Sequence, residues 1–125
     1  MKLPYDVSYH PPFPAVSIRI HNEPRGLRTE FLNGLTDTGA DGSLVPIEHL
    51  RAIRAPAVMD KRIKSHWGEL RAVQLFVVDL EIANIRLPAV LVVGDEQGNE
   101  IIIGRDVLNK LRLLLDGPAN ILEIK

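Results

Sequence analysis

One turn constrains this chain more than any other feature. Asp37-Thr38-Gly39-Ala40-Asp41 comes one residue after a strand-like run, Arg28 to Leu35, and a second apolar run, Ile101-Ile102-Ile103, ends in Gly104-Arg105-Asp106. Asp, Thr and Gly all form turns, so the triplet taken alone reads as an ordinary corner. Its context says more. An apolar strand leads into it, Ala-Asp follows it, and the Gly-Arg-Asp block lies about 65 residues downstream before a leucine-rich stretch.

Most of the remaining chain reads as strands. Val16-Ser17-Ile18-Arg19-Ile20 alternates apolar and polar residues, as a half-buried strand does. Asn22 to Gly26 carries turn chemistry, and Pro46 to Ile53 reads as one or two helical turns with proline near the start. Arg62 to Ile82 holds two extended runs, with Ser65 to Glu69 as the tip between them. Leu87 to Val93 is a further strand closed by the polar turn Gly94 to Asn99, and Asp106 to Leu113 reads as a helix. Asn120 to Ile124 reads as the last strand. The order strand, turn, apolar strand, glycine loop, short helix runs from about Val16 to Ile53 and recurs from about Val77 to Leu111. Pro11-Pro12-Phe13-Pro14 makes residues 1–14 a stiff lead-in arm to what reads as a single domain, residues 1–125.

Composition narrows the chemistry. With no cysteine in 125 residues, disulfides, thiol catalysis and cysteine-ligated zinc are excluded. A net charge of −1 implies neither a nucleic-acid surface nor a polybasic membrane patch. No stretch approaches the ~20 apolar residues needed to cross a bilayer, and Met1 to Asp6 lacks an apolar signal segment. A cytoplasmic location is the expectation.

The two blocks together resemble the retropepsin-like (retroviral-type) aspartic proteases. That family's pattern is an apolar strand, Asp-Thr/Ser-Gly-Ala and often Asp, then later an apolar pair, Gly-Arg-Asp/Asn and a leucine-rich helix. Asp37 to Asp41 matches the first block and Ile102 to Leu108 the second, so the resemblance covers roughly Val16 to Ile124. It implies an all-β, closed-barrel acid-protease fold with one short C-terminal helix. It also implies an aspartic endopeptidase that hydrolyses a peptide or protein substrate. Splitting a peptide bond with water needs one group to take a proton and another to give one. Two carboxylates at close range do both, because they share a single proton. With one Asp-Thr-Gly per chain, the second carboxylate must come from a second copy, so the resemblance implies a homodimer with Asp37 from each chain on its two-fold axis.

Residue by residue, the resemblance makes Asp37 the catalytic carboxylate and Thr38 the residue that bonds across to the partner loop. Gly39 would present its carbonyl to substrate, and Ala40 would keep the pocket wall small. Asp41 would contact substrate and pair with Arg105, and Gly104 would sit where the second loop crosses behind the first. Three positions depart from the pattern: Thr36 replaces an apolar residue, Gly42 follows Asp41, and the flap lacks a glycine-rich tip, for which Trp67-Gly68 is the candidate. An alternative keeps the fold without the turnover: a catalytically weak or inactive homodimeric module for peptide binding or assembly.

Other chemistry is less well supported. His10, His21, His49 and His66 show no metal-ligand spacing, and neither a metal nor an organic cofactor is implied. Ser43 with His49 lacks the context of a nucleophile elbow. Lys61-Arg62-Ile63-Lys64 reads as a solvated strand face rather than a nucleic-acid contact.

Overall fold

Period-two alternation builds most of this molecule, and the strands it produces close on themselves. The computed structural model describes residues 1–64 and 68–125. Among the described residues the strands are β1 (Lys2–Pro4), β2 (Ala15–Asn22), β3 (Leu27–Arg28), β4 (Leu32–Thr36), β5 (Leu44–Pro46), β6 (Ala57–Lys64), β7 (Leu70–Ile82), β8 (Ile85–Asp95), β9 (Ile101–Ile103), β10 (Leu113–Asp116) and β11 (Ile121–Ile124). Two short α-helices, α1 (Ile47–Ala52) and α2 (Arg105–Leu108), and one 3-10 turn, Glu23–Arg25, complete them.

Six strands form a closed barrel. Their order is β2-β4-β9-β5-β8-β7, and β7 pairs back onto β2. In that closing seam Ile18 faces Ile82 and Ile20 faces Leu80, and all four side chains are buried. Removing such aliphatic surface from water is the main favourable term holding the barrel together. β3 extends the sheet beyond β2, and β6 extends it beyond β7.

The recurring order in the sequence has a counterpart in the sheet. β4 pairs parallel with β9, β8 pairs parallel with β5, and the two inner strands meet antiparallel at Leu44 and Ile102. Each half of the chain thus inserts its short strand between two strands of the other half. β4 leads through a loop to β5 and α1, as β8 leads through a loop to β9 and α2.

Both helices are brief, and only part of one expectation is met. The reading of Asp106 to Leu113 as helix holds only for its first turn, since α2 stops at Leu108. Leu113 to Asp116 instead pair with Ile121 to Ile124 as a hairpin, and that ladder outcompetes the helical spacing of Val107, Leu108 and Leu111. The run from Arg28 to Leu35 is also broken. The Thr29 hydroxyl takes the N–H of Ile20, so the ladder pauses before β4 begins. α1 starts just after Pro46, and Asn22 donates to the carbonyls of Ile53 and Arg54 at its far end. Those carbonyls lie past the last helical residue, where intrahelical donors run out.

The termini form a second, three-stranded sheet, β1-β11-β10. Leu122, in its middle strand, is fully buried within the main core cluster. Leu122→Ala should therefore lower stability by about 2–5 kcal/mol in denaturant titrations. A loss below about 0.5 kcal/mol would show that this sheet adds little to the core.

On the barrel seam, His21 Nε2 lies 2.8 Å from Glu81 Oε1. This hydrogen bond is the main reason the Glu81 carboxyl is held below its ordinary value. Partial burial opposes it, and the positive charges of His21, Arg19 and Arg86 assist it. A depressed carboxylate adds stability above its unfolded value and loses it as pH falls through the folded one. From about pH 5 downward, melting temperature should fall more steeply for the wild type than for Glu81→Gln. Parallel curves would remove the pair from the acid response.

Candidate active site

Asp37 follows β4 at the point where the ladder ends. Its own N–H extends that ladder by one bond, to the Ile103 carbonyl at 2.9 Å, so the backbone beneath the carboxylate is tied to β9. One carboxylate oxygen, Oδ1, accepts the Gly39 N–H at 2.8 Å. Among the described residues no hydrogen bond engages Oδ2. The side chain is half-buried, while Thr38, Gly39 and Asp41 beside it are exposed. A carboxylate tethered through one oxygen thus stands beside an exposed loop.

The second block holds this loop from behind. The Arg105 N–H donates to the Ala40 carbonyl at 2.8 Å, and its guanidinium Nη1 donates to the Thr38 carbonyl at 2.7 Å. The resemblance pairs Arg105 with Asp41, but among the described residues no ion pair joins them. The guanidinium braces the backbone instead. That geometry fixes the loop without using a carboxylate.

Gly104 lies against the loop at very short range. A Cβ there would sit 2.6 Å from the Gly42 carbonyl oxygen and 2.9 Å from that of Ala40. Its φ of −91° is open to any residue, so space and not backbone freedom requires glycine. Gly42 itself has open space where its own Cβ would be.

Sequence reasoning missed the pair that joins these two corners. Ser43 is buried, and its hydroxyl donates to Asp106 Oδ1 at 2.8 Å while accepting the Gly104 N–H at 3.0 Å. Asp106 also accepts from the Ser43 N–H and from Val107 at the start of α2. Ser43 is thus a structural tie between the two loops. The available signal was symmetry: each glycine corner is followed within two residues by a short polar side chain.

Thr36, immediately before Asp37, directs both its N–H and its hydroxyl to the Pro14 carbonyl, at 3.0 and 2.9 Å. The polar residue at this departure from the pattern therefore fastens the segment that enters β2. The β6–β7 hairpin projects beside the site, its β6 residues almost all exposed. Gly68, at its end, has a φ of +82°, a conformation that disfavours side chains. Trp67 lies outside the described residues. Among those described, no group of three His, Cys, Asp or Glu side chains is placed to hold a metal ion.

No protein-family model matches the chain, and no curated protein matches it in sequence. Solved structures do match. The chain is similar to a retropepsin-like aspartic protease from Rickettsia conorii, with 9% identity and a TM-score of 0.64 over 98% of this chain and 86% of that one. It is similar to the retroviral protease-like domain of Ddi1 from Leishmania major, with 19% identity and a TM-score of 0.57 over 90% and 88% of the two chains. It is also similar to EIAV protease complexed with the inhibitor HBY-793, with 22% identity and a TM-score of 0.58 over 86% and 93%. At these identities the likeness is one of fold, and the retropepsin-like barrel expected from the two sequence blocks is the one found.

The crossing of the two loops makes a sharp pair of expectations. Gly104→Ala should cost about 1–3 kcal/mol or more, because backbone atoms on both sides must move. Ser43→Ala should cost about 1–3 kcal/mol by stranding the Gly104 N–H and removing one of the two bonds to Asp106 Oδ1. Thermal and denaturant melts check both. Wild-type stability in either variant would mean that the loops are not tied at this point.

Proposed function

We propose that this chain belongs to the retropepsin-like aspartic proteases and acts as a homodimeric endopeptidase, with the Asp37 carboxylates of two copies activating one water. The observation that carries this reading is the Asp37 carboxylate itself. One oxygen is fixed by the Gly39 amide, the other is without a bond among the described residues, and the rim around it is exposed. A lone carboxylate so placed has half of what the chemistry needs, and a two-fold axis supplies the other half.

The reaction follows from the shared proton. Two adjacent carboxylates cannot both ionise, so the pair holds one proton between them. The ionised member takes a proton from water as it attacks the peptide carbonyl, and the protonated member gives one to the departing nitrogen. Arg105 keeps the loop rigid through the Thr38 and Ala40 carbonyls, which leaves the exposed Thr38 hydroxyl available to the partner loop. Among the described residues the outer edge of β10 pairs with no strand, and with Leu114 and Leu115 exposed it offers a second copy a strand edge to continue.

The test is a peptide-library turnover assay at mildly acidic pH, with and without a pepstatin-like inhibitor. Asp37→Asn should remain folded and lose at least about 100-fold in kcat, since an amide is no base. Undiminished turnover by the folded variant would overturn the assignment. Peptide binding by the wild type without any turnover would leave the fold as a binding module.

A further inference from the structure

Beside Asp41, the groove between the loop and the β6–β7 hairpin has a distinctive lining. Its floor is apolar. Leu44 on β5 pairs with Val93 on β8 and with Ile102 on β9, and these three half-buried side chains make a row across the central strands. Its wall is the hairpin. Lys61 stands opposite Val73 and Ile63 opposite Arg71, and directly opposed residues share one face of a sheet. That face therefore alternates cationic and aliphatic side chains.

Two adjoining recesses of about 260 and 340 Å³ lie here and share Leu44, Ile63 and Val93. Lys61 and Lys64 line the first together with Asp41, and Arg71 and Val73 line the second together with Asp95. Three cations thus line the recesses beside two carboxylates, Lys61 and Arg71 from the groove face of the hairpin and Lys64 from the end of β6. Asp95 already accepts the N–H groups of Gln97 and Gly98. Among the described residues no ion pair engages Lys61, Lys64 or Arg71. Counted over the two recesses, cationic side chains outnumber carboxylates three to two in a chain whose net charge is −1.

We propose that this groove selects peptides that carry an acidic side chain next to an aliphatic one, the acid meeting Lys61 and Lys64 and the aliphatic group resting on Leu44, Ile63 and Val93. The inference rests on the reading of this site as one that takes extended peptides. A strand laid along the groove turns alternate side chains to the floor and to the wall, so neighbouring residues meet the two kinds of surface. An exposed ion pair gives modest discrimination, about fivefold between glutamate and glutamine. Asp41 shares the recess and would favour a basic side chain if it dominated, so the sign of the preference decides.

The experiment uses a random decapeptide library read by mass spectrometry, with the wild type and with Lys61→Glu/Lys64→Glu. The wild type should enrich Glu and Asp about fivefold within three residues of the cut, and the double variant should reverse this toward Lys and Arg. The preference should also shrink as salt rises above about 0.1 M, where screening acts within about 10 Å. Cleavage without acidic enrichment, or enrichment unchanged in the double variant, overturns the proposal and leaves the protease reading intact. If no peptide is cut, the protease reading fails, and fluorescence anisotropy with Glu-containing and Gln-containing dye-labelled peptide pools decides the groove's preference. Equal binding of the two pools overturns it, and tighter binding of the Glu pool that is lost in Lys61→Gln/Lys64→Gln supports it.

Discussion

The structure turns on one close crossing, where Gly104 passes within contact distance of the Gly42 and Ala40 carbonyls. A side chain there would meet backbone atoms, so the two loops approach only because the residue is glycine. Around the crossing, Ser43 and Asp106 saturate one another, and the Gly104 N–H joins them. Burying this polar group at the barrel's end is tolerable because each partner is satisfied. Arg105 then reaches past the crossing to the Thr38 carbonyl. The position of Asp37 is thus set from beneath by β9 and from behind by the second block.

The same crossing explains why the two halves of the chain interleave. β9 lies between β4 and β5, and β5 lies between β9 and β8, so neither half can complete its sheet alone. The Asp37 loop and the Gly-Arg-Asp corner are distant in sequence but are delivered to one place by this exchange of strands. Such non-local pairing costs loop-closure entropy before its contacts form, which the apolar rows of the barrel must offset.

Much of this was legible in the sequence, for physical reasons that differ from element to element. Ile101 to Ile103 was readable as a short buried strand because every residue is β-branched and both ends are marked by polar or glycine residues. β2 was readable from its alternation. The reading of Leu113 failed because its partner strand lies at the chain's end, and local periodicity carries no information about a ladder formed there. The Ser43–Asp106 tie was invisible for a like reason, since the two residues are 63 apart and only the crossing brings them together. Among the candidate site residues, the loop around Asp37 stands out through its motif, whereas the orientation of Arg105 toward Thr38 in place of Asp41 arises only where the two loops cross. Lys61 and Ile63 read as a solvated strand face, and the register with Val73 and Arg71 turned that face into the wall of a groove.

The central claim is that each active site takes one Asp37 from each of two chains. Mixing wild type with an inactive but folded Asp37→Asn partner, under conditions where subunits exchange, tests this most directly. If both carboxylates are required, activity falls as the square of the wild-type fraction, because hybrids contribute nothing. Activity that falls in simple proportion to the wild-type fraction would mean that one chain carries a complete site, and the shared-dyad account would be contradicted.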